Sequence, residues 1–360
     1  MHGEGSGSVA PARVISPMQA LRAQLGFPLT AGWDKDGDGH GNHSTVQDCH
    51  GGACISFTPH GASGAAIAAA LKSADIALVF GATICGEGED RIDLTLEVPT
   101  RWNRVLKRDD LQGQDAFITM VGTAAKAAGV PSVGAIVTPG PLLTPWSKHL
   151  DSLLVSFMPG QEYGFALMDV LFGTVNPSGR LPVTFPNKEN EIDFSGAEYP
   201  GSDGNCTGKE SPRCDPPGQA NYSHQLLIGY RYYDAKGIVP KYAFGHGLSF
   251  TQFNYSFLTT SKSHVSFTLT NTGSLDGAEI VQLYLDFPAA SRSPPQQLKG
   301  FSRVFLKAGA STQVTMPLTS RDRSIWGVGK HDWEEVSGTV AVRVGASSRD
   351  IRLEGFLPTN

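Results

Sequence analysis

The sequence predicts an α/β fold, an open sandwich with a largely parallel sheet, followed by an all-β sandwich. Three observations carry this. The runs "IALVF" (76–80) and "VGAIV" (133–137) are apolar throughout, as strands covered on both faces must be. Helical stretches separate such runs, the alternation that builds a parallel sheet. From about Asn254 the helical spacing stops, and short alternating runs broken by Gly, Pro and Asn replace it.

The elements follow in order. "VISPMQALRAQLG" (14–26) reads as a helix begun by Ser16-Pro17 and stopped by Gly26. A polar loop is expected from Gly32 to about Ser63. The helix "GAAIAAALKSA" (64–74) feeds the strand "DIALVFG" (75–81). Residues 109–129 are predicted helical and lead into "VPSVGAIVTPG" (130–140). "HLDSLLVSFMPG" (149–160) supplies a further strand and "QEYGFALMDVLFG" (161–173) the next helix. Residues 187–225 are polar, contain Pro212, Pro216 and Pro217, and read as a long surface loop. The β runs are "HVSFTLTNTG", "AEIVQLYLDF", "SRVFLKAG", "STQVTMPLT", "GTVAVRVGA" and "IRLEGF". The domains are therefore 1–250 and 255–360.

A chain of 360 residues is long enough for two cores. Its formal charge of -5 offers no bulk attraction to nucleic acid or an anionic membrane. No apolar run reaches the ~20 residues of a membrane span, and "MHGEGSGSVAP" lacks the apolar segment of a signal peptide. Cys49 lies near Cys54 and Cys206 near Cys214, while Cys85 stands alone. Two disulfides, Cys49–Cys54 and Cys206–Cys214, with one free thiol fit an extracellular or luminal protein. Free thiols in a cytosolic protein are the competing reading. Glycosylation sequons at Asn42, Asn205, Asn221 and Asn254 point the same way as the cysteine pairs.

The stretch "GATICGEGEDRIDLTL" (81–96) concentrates the candidate chemistry. It follows an apolar strand, and loops at the carboxyl ends of parallel strands are where open α/β folds bind ligands. Glu87, Glu89 and Asp90 are the candidate acids, and clustered carboxyls raise one another's pKa, which suits a general acid. Gly86 and Gly88 let the backbone approach a substrate. Arg91 can hold one carboxylate ionised and oriented. On the residues alone, a catalytic loop and a solvated acidic loop remain equally open.

Other motifs carry less. In "WDKDGDGHGN", Asp34, Asp36, Asp38 and Gly39 match the first half of a calcium loop. The twelfth position is Thr45 rather than Glu, and no helix leads in, so a charged surface insertion is the preferred reading and no metal is assigned. Gln161 and Glu162 are placed in the first turn of a helix, where acidic groups are favoured. Tyr230, Arg231, Tyr232, Tyr233 and His246 could stack on a sugar or pack in a core. "FGHGLS" is not a Gly-x-Ser-x-Gly elbow, and "GEGSGS" lacks the lysine of a phosphate loop.

The colinear segments "GEGSGSVAP", "SPMQAL", "GEGEDRIDLTL", "PGQEYGFALMDVLFGTVNPSGRLPVTFP", "LLIGYRYYDAKGIVPKYAFGHGLSF" and "NTGSLDGAEIVQLYL" resemble the C-terminal half of glycoside hydrolase family 3, the β-glucosidase and β-xylosidase family. The resemblance implies that residues 1–250 are its α/β sandwich domain and 255–360 its fibronectin type III-like domain. It implies an O-glycosyl hydrolase of retaining mechanism acting on β-linked glucoside or xyloside oligosaccharides, without a cofactor. Glu87 would be the general acid/base, Asp90 and Arg91 the pair that holds the loop, and Glu89 a solvent-facing variable position. Cys85 stands where many members have an acidic residue, a departure bearing on pKa or sugar contacts. His246 and its aromatic neighbours would then pack between domains. No segment resembles the family's N-terminal (β/α)8 barrel, which carries the nucleophile. The chain is thus expected to be a fragment, inactive alone, of a secreted or vacuolar glycosidase. A non-catalytic carbohydrate-binding module, or a domain completing a barrel on another chain, are the alternatives.

Overall fold

The computed structural model describes residues 11–28, 46–86, 91–98, 112–195, 198 and 222–358. The chain divides into two compact units, residues 1–175 and 176–360.

The first unit contains α1 (Pro17–Gln24), β1 (Val46–His50), β2 (Ala53–Phe57), α2 (Gly64–Leu71), β3 (Ala77–Ala82), α3 (Gln114–Ala128), β4 (Ser132–Val137), β5 (Ser152–Ser156) and α4 (Tyr163–Leu171). Strands β3, β4 and β5 form a wholly parallel sheet in that order. Ser16 and Gln19 close a reciprocal capping box at the start of α1. Gly129 ends α3 in the left-handed conformation that glycine adopts without strain. On one face of the sheet, Ala135 packs with Ala20 of α1 and Tyr163, Leu167 and Met168 of α4. Its neighbour Ile136 points the other way, toward Gly81 and Ile118 of α3. Ile67, Leu71, Ala77, Ala125 and Val130 join α2 and α3 to β3. Both faces are therefore covered, which explains the unbroken apolar runs.

The start of α4 lies against the residues before α1. Ile15 donates to Gln161 O at 3.0 Å, and Gly164 donates to Ile15 O at 3.2 Å. A Cβ on Gly164 would stand 2.5 Å from Ser16 O and 2.7 Å from Ile15 O, so only glycine fits. Gln161 and Glu162 precede the helix rather than occupy its first turn. Glu162 is the N-cap residue, and its carboxylate accepts from Arg13 at 2.9 and 3.1 Å.

The stretch expected as a polar loop from Gly32 to Ser63 contains a hairpin. Strands β1 and β2 pair antiparallel, with Cys49 opposite Cys54, and a disulfide joins that pair. The turn is Gly51-Gly52 with φ of 58° and 88°, the left-handed pair of a type I′ hairpin. The polar composition misleads because the ribbon is largely exposed. Asp48 of β1 pairs at 2.6 Å with Arg22 of α1, a side chain that is almost wholly buried.

The second unit contains α5 (Tyr230–Lys236), β6 (Phe253–Thr260), β7 (His264–Asn271), β8 (Gly277–Asp286), β9 (Gln297–Leu306), β10 (Ser311–Pro317), β11 (Ser324–Gly327), β12 (Asp332–Glu335), β13 (Ala341–Gly345) and β14 (Ile351–Phe356). The sheets run β10-β7-β6 and β14-β13-β8-β9, with β11-β12 a separate hairpin, and every pairing is antiparallel. Between Lys262 and Gly345 the only helical segments are short 3-10 turns at Ala289–Ser291 and Arg321–Arg323. Val265, Phe267 and Leu269 of β7 meet Val281, Leu283 and Leu285 of β8 and Val342 and Val344 of β13 in one core. Strands β6, β11 and β12 had no counterpart in the sequence reading.

The other face of β8 is also buried. Tyr284 meets Tyr230 of α5 edge to face at 6.0 Å, and Tyr230 stacks on Phe244. Gln282 donates to Gly245 O and Ala346 O, and its Oε1 accepts from Tyr284. His246 stacks on Tyr242. Burial, with the charge of Arg180 added, pushes its pKa below the ordinary histidine value. Arg180 donates to Glu279 at 2.7 Å, and both side chains are at most 7% exposed. A buried pair of this kind makes each charge tolerable only while the other remains.

Two outcomes are expected. Gly164→Ala should destabilise the chain by about 1–3 kcal/mol in urea unfolding, whereas Gly160→Ala, whose Cβ meets no atom within 4 Å, should be nearly neutral. Equal effects would remove the close approach from the account. Glu279→Gln should cost about 3–5 kcal/mol, while a double replacement of Arg180 and Glu279 by Met should recover most of it. A double variant as unstable as the single one would contradict this.

Candidate active site

Strand β3 is an edge of the parallel sheet. Its odd residues bond toward β4, as Thr83 N donating to Val137 O at 3.1 Å shows. The peptide groups of Ala82 therefore face outward, and among the described residues no strand meets them. Gln114, the first residue of α3, supplies the missing partner. Its Oε1 accepts from Ala82 N at 3.0 Å, and its Nε2 donates to Ala82 O at 2.9 Å and Leu96 O at 2.7 Å. A buried side-chain amide thus imitates one peptide of an additional strand and fastens it to residues 91–98.

The 91–98 segment is itself pinned at several points. Leu96 is fully buried. A Cβ on Gly81 would lie 3.2 Å from Leu96 Cδ1, 3.0 Å from Ile136 Cδ1 and 3.1 Å from Ile118 Cδ1, so glycine makes room for the leucine. Leu143 N donates to Leu94 O at 2.7 Å. Asp93 accepts from Thr95 N and Oγ1 at 2.9 and 2.6 Å. The Glu97 carboxylate accepts from Gly113 N at 2.8 and 2.9 Å. Arg91 Nη2 donates to Pro141 O at 2.9 Å, in the loop after β4.

These contacts place Gly86 and Arg91, the residues flanking 87–90, at the carboxyl end of the sheet. Glu87, Gly88, Glu89 and Asp90 lie outside the described residues, as do Asp34, Asp36, Asp38, Cys206 and Cys214. Cys85 is a half-buried free thiol. Among the described residues, no group of three or more His, Cys, Asp and Glu could hold a metal ion, and no helix is long and apolar enough to cross a membrane.

Two carboxyl groups beside the loop escaped the sequence reading. Asp115, on the first turn of α3, accepts from the indole of buried Trp146 at 2.9 Å. Burial raises its pKa, the Trp146 hydrogen bond opposes this, and the charges of Glu97 and Asp93 add to the rise. Glu97 fixes the turn before α3. Both serve the scaffold, and no sequence spacing marks them out.

The family model described as "Glycosyl hydrolase family 3 C-terminal domain" matches residues 1–250, and a fibronectin type III-like domain model matches 279–348. A probable beta-glucosidase D of Aspergillus niger is 37% identical over 79% of the chain and 36% of its own length. The thermostable beta-glucosidase B of Acetivibrio thermocellus is 34% identical over 81% of the chain and 36% of its own length. The crystal structure of a beta-D-glucoside glucohydrolase from Trichoderma reesei superposes with a TM-score of 0.74 at 26% identity, covering 100% of this chain and 47% of that one. Beta-glucosidase 3B of Thermotoga neapolitana, solved with alpha-D-glucose, gives a TM-score of 0.75 at 29% identity over 99% and 48%. The chain spans less than half the length of each of these relatives. With the parallel sheet, the anchored loop and the β-sandwich, these matches establish that the chain belongs to glycoside hydrolase family 3.

Proposed function

We propose that this chain supplies the acid/base part of a β-glucosidase-like O-glycosyl hydrolase of retaining mechanism, with Glu87 as the general acid/base. The observation that carries the reading is the doubly anchored segment at the carboxyl end of the parallel sheet. Buried contacts hold the chain before and after residues 87–90, which suits a loop presenting a proton donor at a defined position. The relatives are named as β-glucosidases, which favours a β-glucoside over a β-xyloside as the substrate. Asp90 and Arg91 support the loop in this reading, and Arg91 already ties it to Pro141.

A retaining glycosidase needs a second carboxyl group about 5 to 5.5 Å away as nucleophile. The family resemblance assigns that group to an N-terminal barrel domain, which is the partner this reading requires. The parent protein enters an oxidising compartment and is extracellular or vacuolar. The Cys49–Cys54 disulfide and the sequons support that placement.

The chain alone is expected not to hydrolyse a β-glucoside at a useful rate. General acid catalysis contributes about 10² to 10⁴-fold, far below what an enzyme with both carboxyl groups reaches. Robust turnover by the purified chain would refute the half-site reading. In a protein completed with a family barrel, Glu87→Gln should slow unactivated glycosides most. Activated aryl glycosides should still react quickly in the first step and then stall, because the second step needs the same group as base. Azide should partly restore turnover by attacking without base assistance. Hydrolysis of an unactivated glycoside by E87Q at the parent rate would remove Glu87 from the mechanism.

A further inference from the structure

The hairpin β11–β12 stands apart from the two larger sheets of the second unit. Side chains alternate between its two faces. Ile325, on one face, packs against the sandwich core, as does Val336 just beyond β12. The other face carries Trp326 and Trp333, directly opposite each other across the ribbon. Their rings meet edge to face, with centroids 5.7 Å apart and planes at 67°. Both stay open to solvent, at 48% and 41% exposed.

A cross-strand aromatic pair helps to hold a ribbon together, yet this one has groups to spare. The Arg321 guanidinium lies 3.8 Å from the centre of the Trp333 ring and fixes that indole by a cation–π contact. Only one ring of an edge-to-face pair gives up a face, so Trp326 keeps at least one face free. Neither indole N–H nor the exposed Arg321 guanidinium has a hydrogen-bond partner among the described residues. The neighbouring acids are engaged. Glu335 accepts from Arg323 at 2.7 Å, Glu334 pairs with Lys330 at 2.8 Å, Asp322 accepts from Thr319 N and Oγ1, and Asp332 accepts from Trp333 N. The patch thus offers a flat apolar face with accessible donors beside it.

Charge and area narrow the occupant. Residues 321–335 carry three basic and four acidic side chains, a formal charge of -1, so the patch does not select an anion. An aromatic side chain offers ~150–250 Å², so two half-exposed indoles present on the order of 200 Å². That is about a quarter of the ~800 Å² each partner buries in a stable protein interface. A small, neutral, flat molecule rich in acceptor oxygens fits. Glucose in β linkage holds its substituents equatorially, which leaves C–H surfaces on both ring faces to stack on an indole.

We propose that Trp326, Trp333 and Arg321 form a non-catalytic surface site for a neutral β-linked glucan chain. One pyranose ring stacks on the free face of Trp326, and hydroxyls of the neighbouring unit accept from Arg321 and the indole N–H groups. The choice of β-linked glucose rests on the reading of the parent as a β-glucosidase. The platform lies within the second unit and is independent of Glu87.

The test uses the full chain and cellohexaose, read by calorimetry and tryptophan fluorescence. Isomaltohexaose, an α-linked hexamer, and an oligogalacturonate, an anionic one, are the controls. Saturable binding of cellohexaose in the millimolar range is expected, with neither control binding comparably. Trp326→Ala should weaken binding about tenfold. Trp326→Phe, which keeps a ring face, should restore most of it, and Arg321→Gln should weaken it several-fold. Near-ultraviolet circular dichroism and the melting temperature report whether each variant keeps its fold, and the Phe and Gln variants carry the test if the alanine disturbs the hairpin. Glu87→Gln should bind cellohexaose as the parent does, so this site and the acid/base reading fail independently. Absence of saturable binding, equal or tighter binding of either control, parental binding by W326A, equal loss in W326F and W326A with the fold retained, or loss of binding in E87Q would each overturn the proposal.

Discussion

The first unit depends on how an edge strand disposes of its outward-facing peptide groups. Ala82 ends β3 with one donor and one acceptor turned away from β4, and a buried peptide cannot be left that way. Gln114 meets both and adds a bond to Leu96 O. The same amide closes the sheet edge, fixes the start of α3 and draws residues 91–98 against the sheet. Gly81 completes the arrangement, since its missing side chain is the space that Leu96 fills. The loop between Gly86 and Arg91 thus leaves and re-enters a rigid frame.

The second unit solves a different problem. Strand β8 is covered on both faces, by the sandwich core and by residues 229–250, yet it carries Glu279, Gln282 and Tyr284 inward. Each is met by a specific partner: Arg180 for the glutamate, the carbonyls of Gly245 and Ala346 for the glutamine amide, and Gln282 itself for the tyrosine. Apolar packing alone would tolerate a strand slipped by two residues, which preserves the buried face. The polar partners do not, because a slip would leave a charge and an amide buried and unpaired.

Much of this was legible in the sequence. Unbroken apolar runs at 76–80 and 133–137 identified the sheet, and Ser16-Pro17 and Gly26 marked the two ends of α1 where the structure has them. The β1–β2 hairpin was hidden by its polarity, although Gly51-Gly52 between two short runs was a usable turn signal. Strands β11 and β12 were too short to show a period. Gln114 could not have been found, because its role is defined by a peptide at the end of a strand 32 residues earlier. Glu87 stood apart only through resemblance to a family, since clustered carboxyls on a glycine-rich loop are equally consistent with solvation.

The anchoring of residues 81–98 acquires a reason if the proposed division of the active site holds. A retaining mechanism tolerates little error in the spacing of its two carboxyl groups, about 0.5 Å in a preorganised site. When one group belongs to this chain and the other to a separate domain, the error of the interface adds to the error of each loop. Lost precision at the interface can be offset only by stiffness within each part. Stiffness here comes from buried atoms rather than from surface ion pairs, which are worth little and are screened by salt. Leu96 packs in the space left by Gly81, Gln114 binds two segments at once, and Arg91 is tied to the backbone carbonyl of Pro141. A loop that merely carried charge for solubility would need none of these.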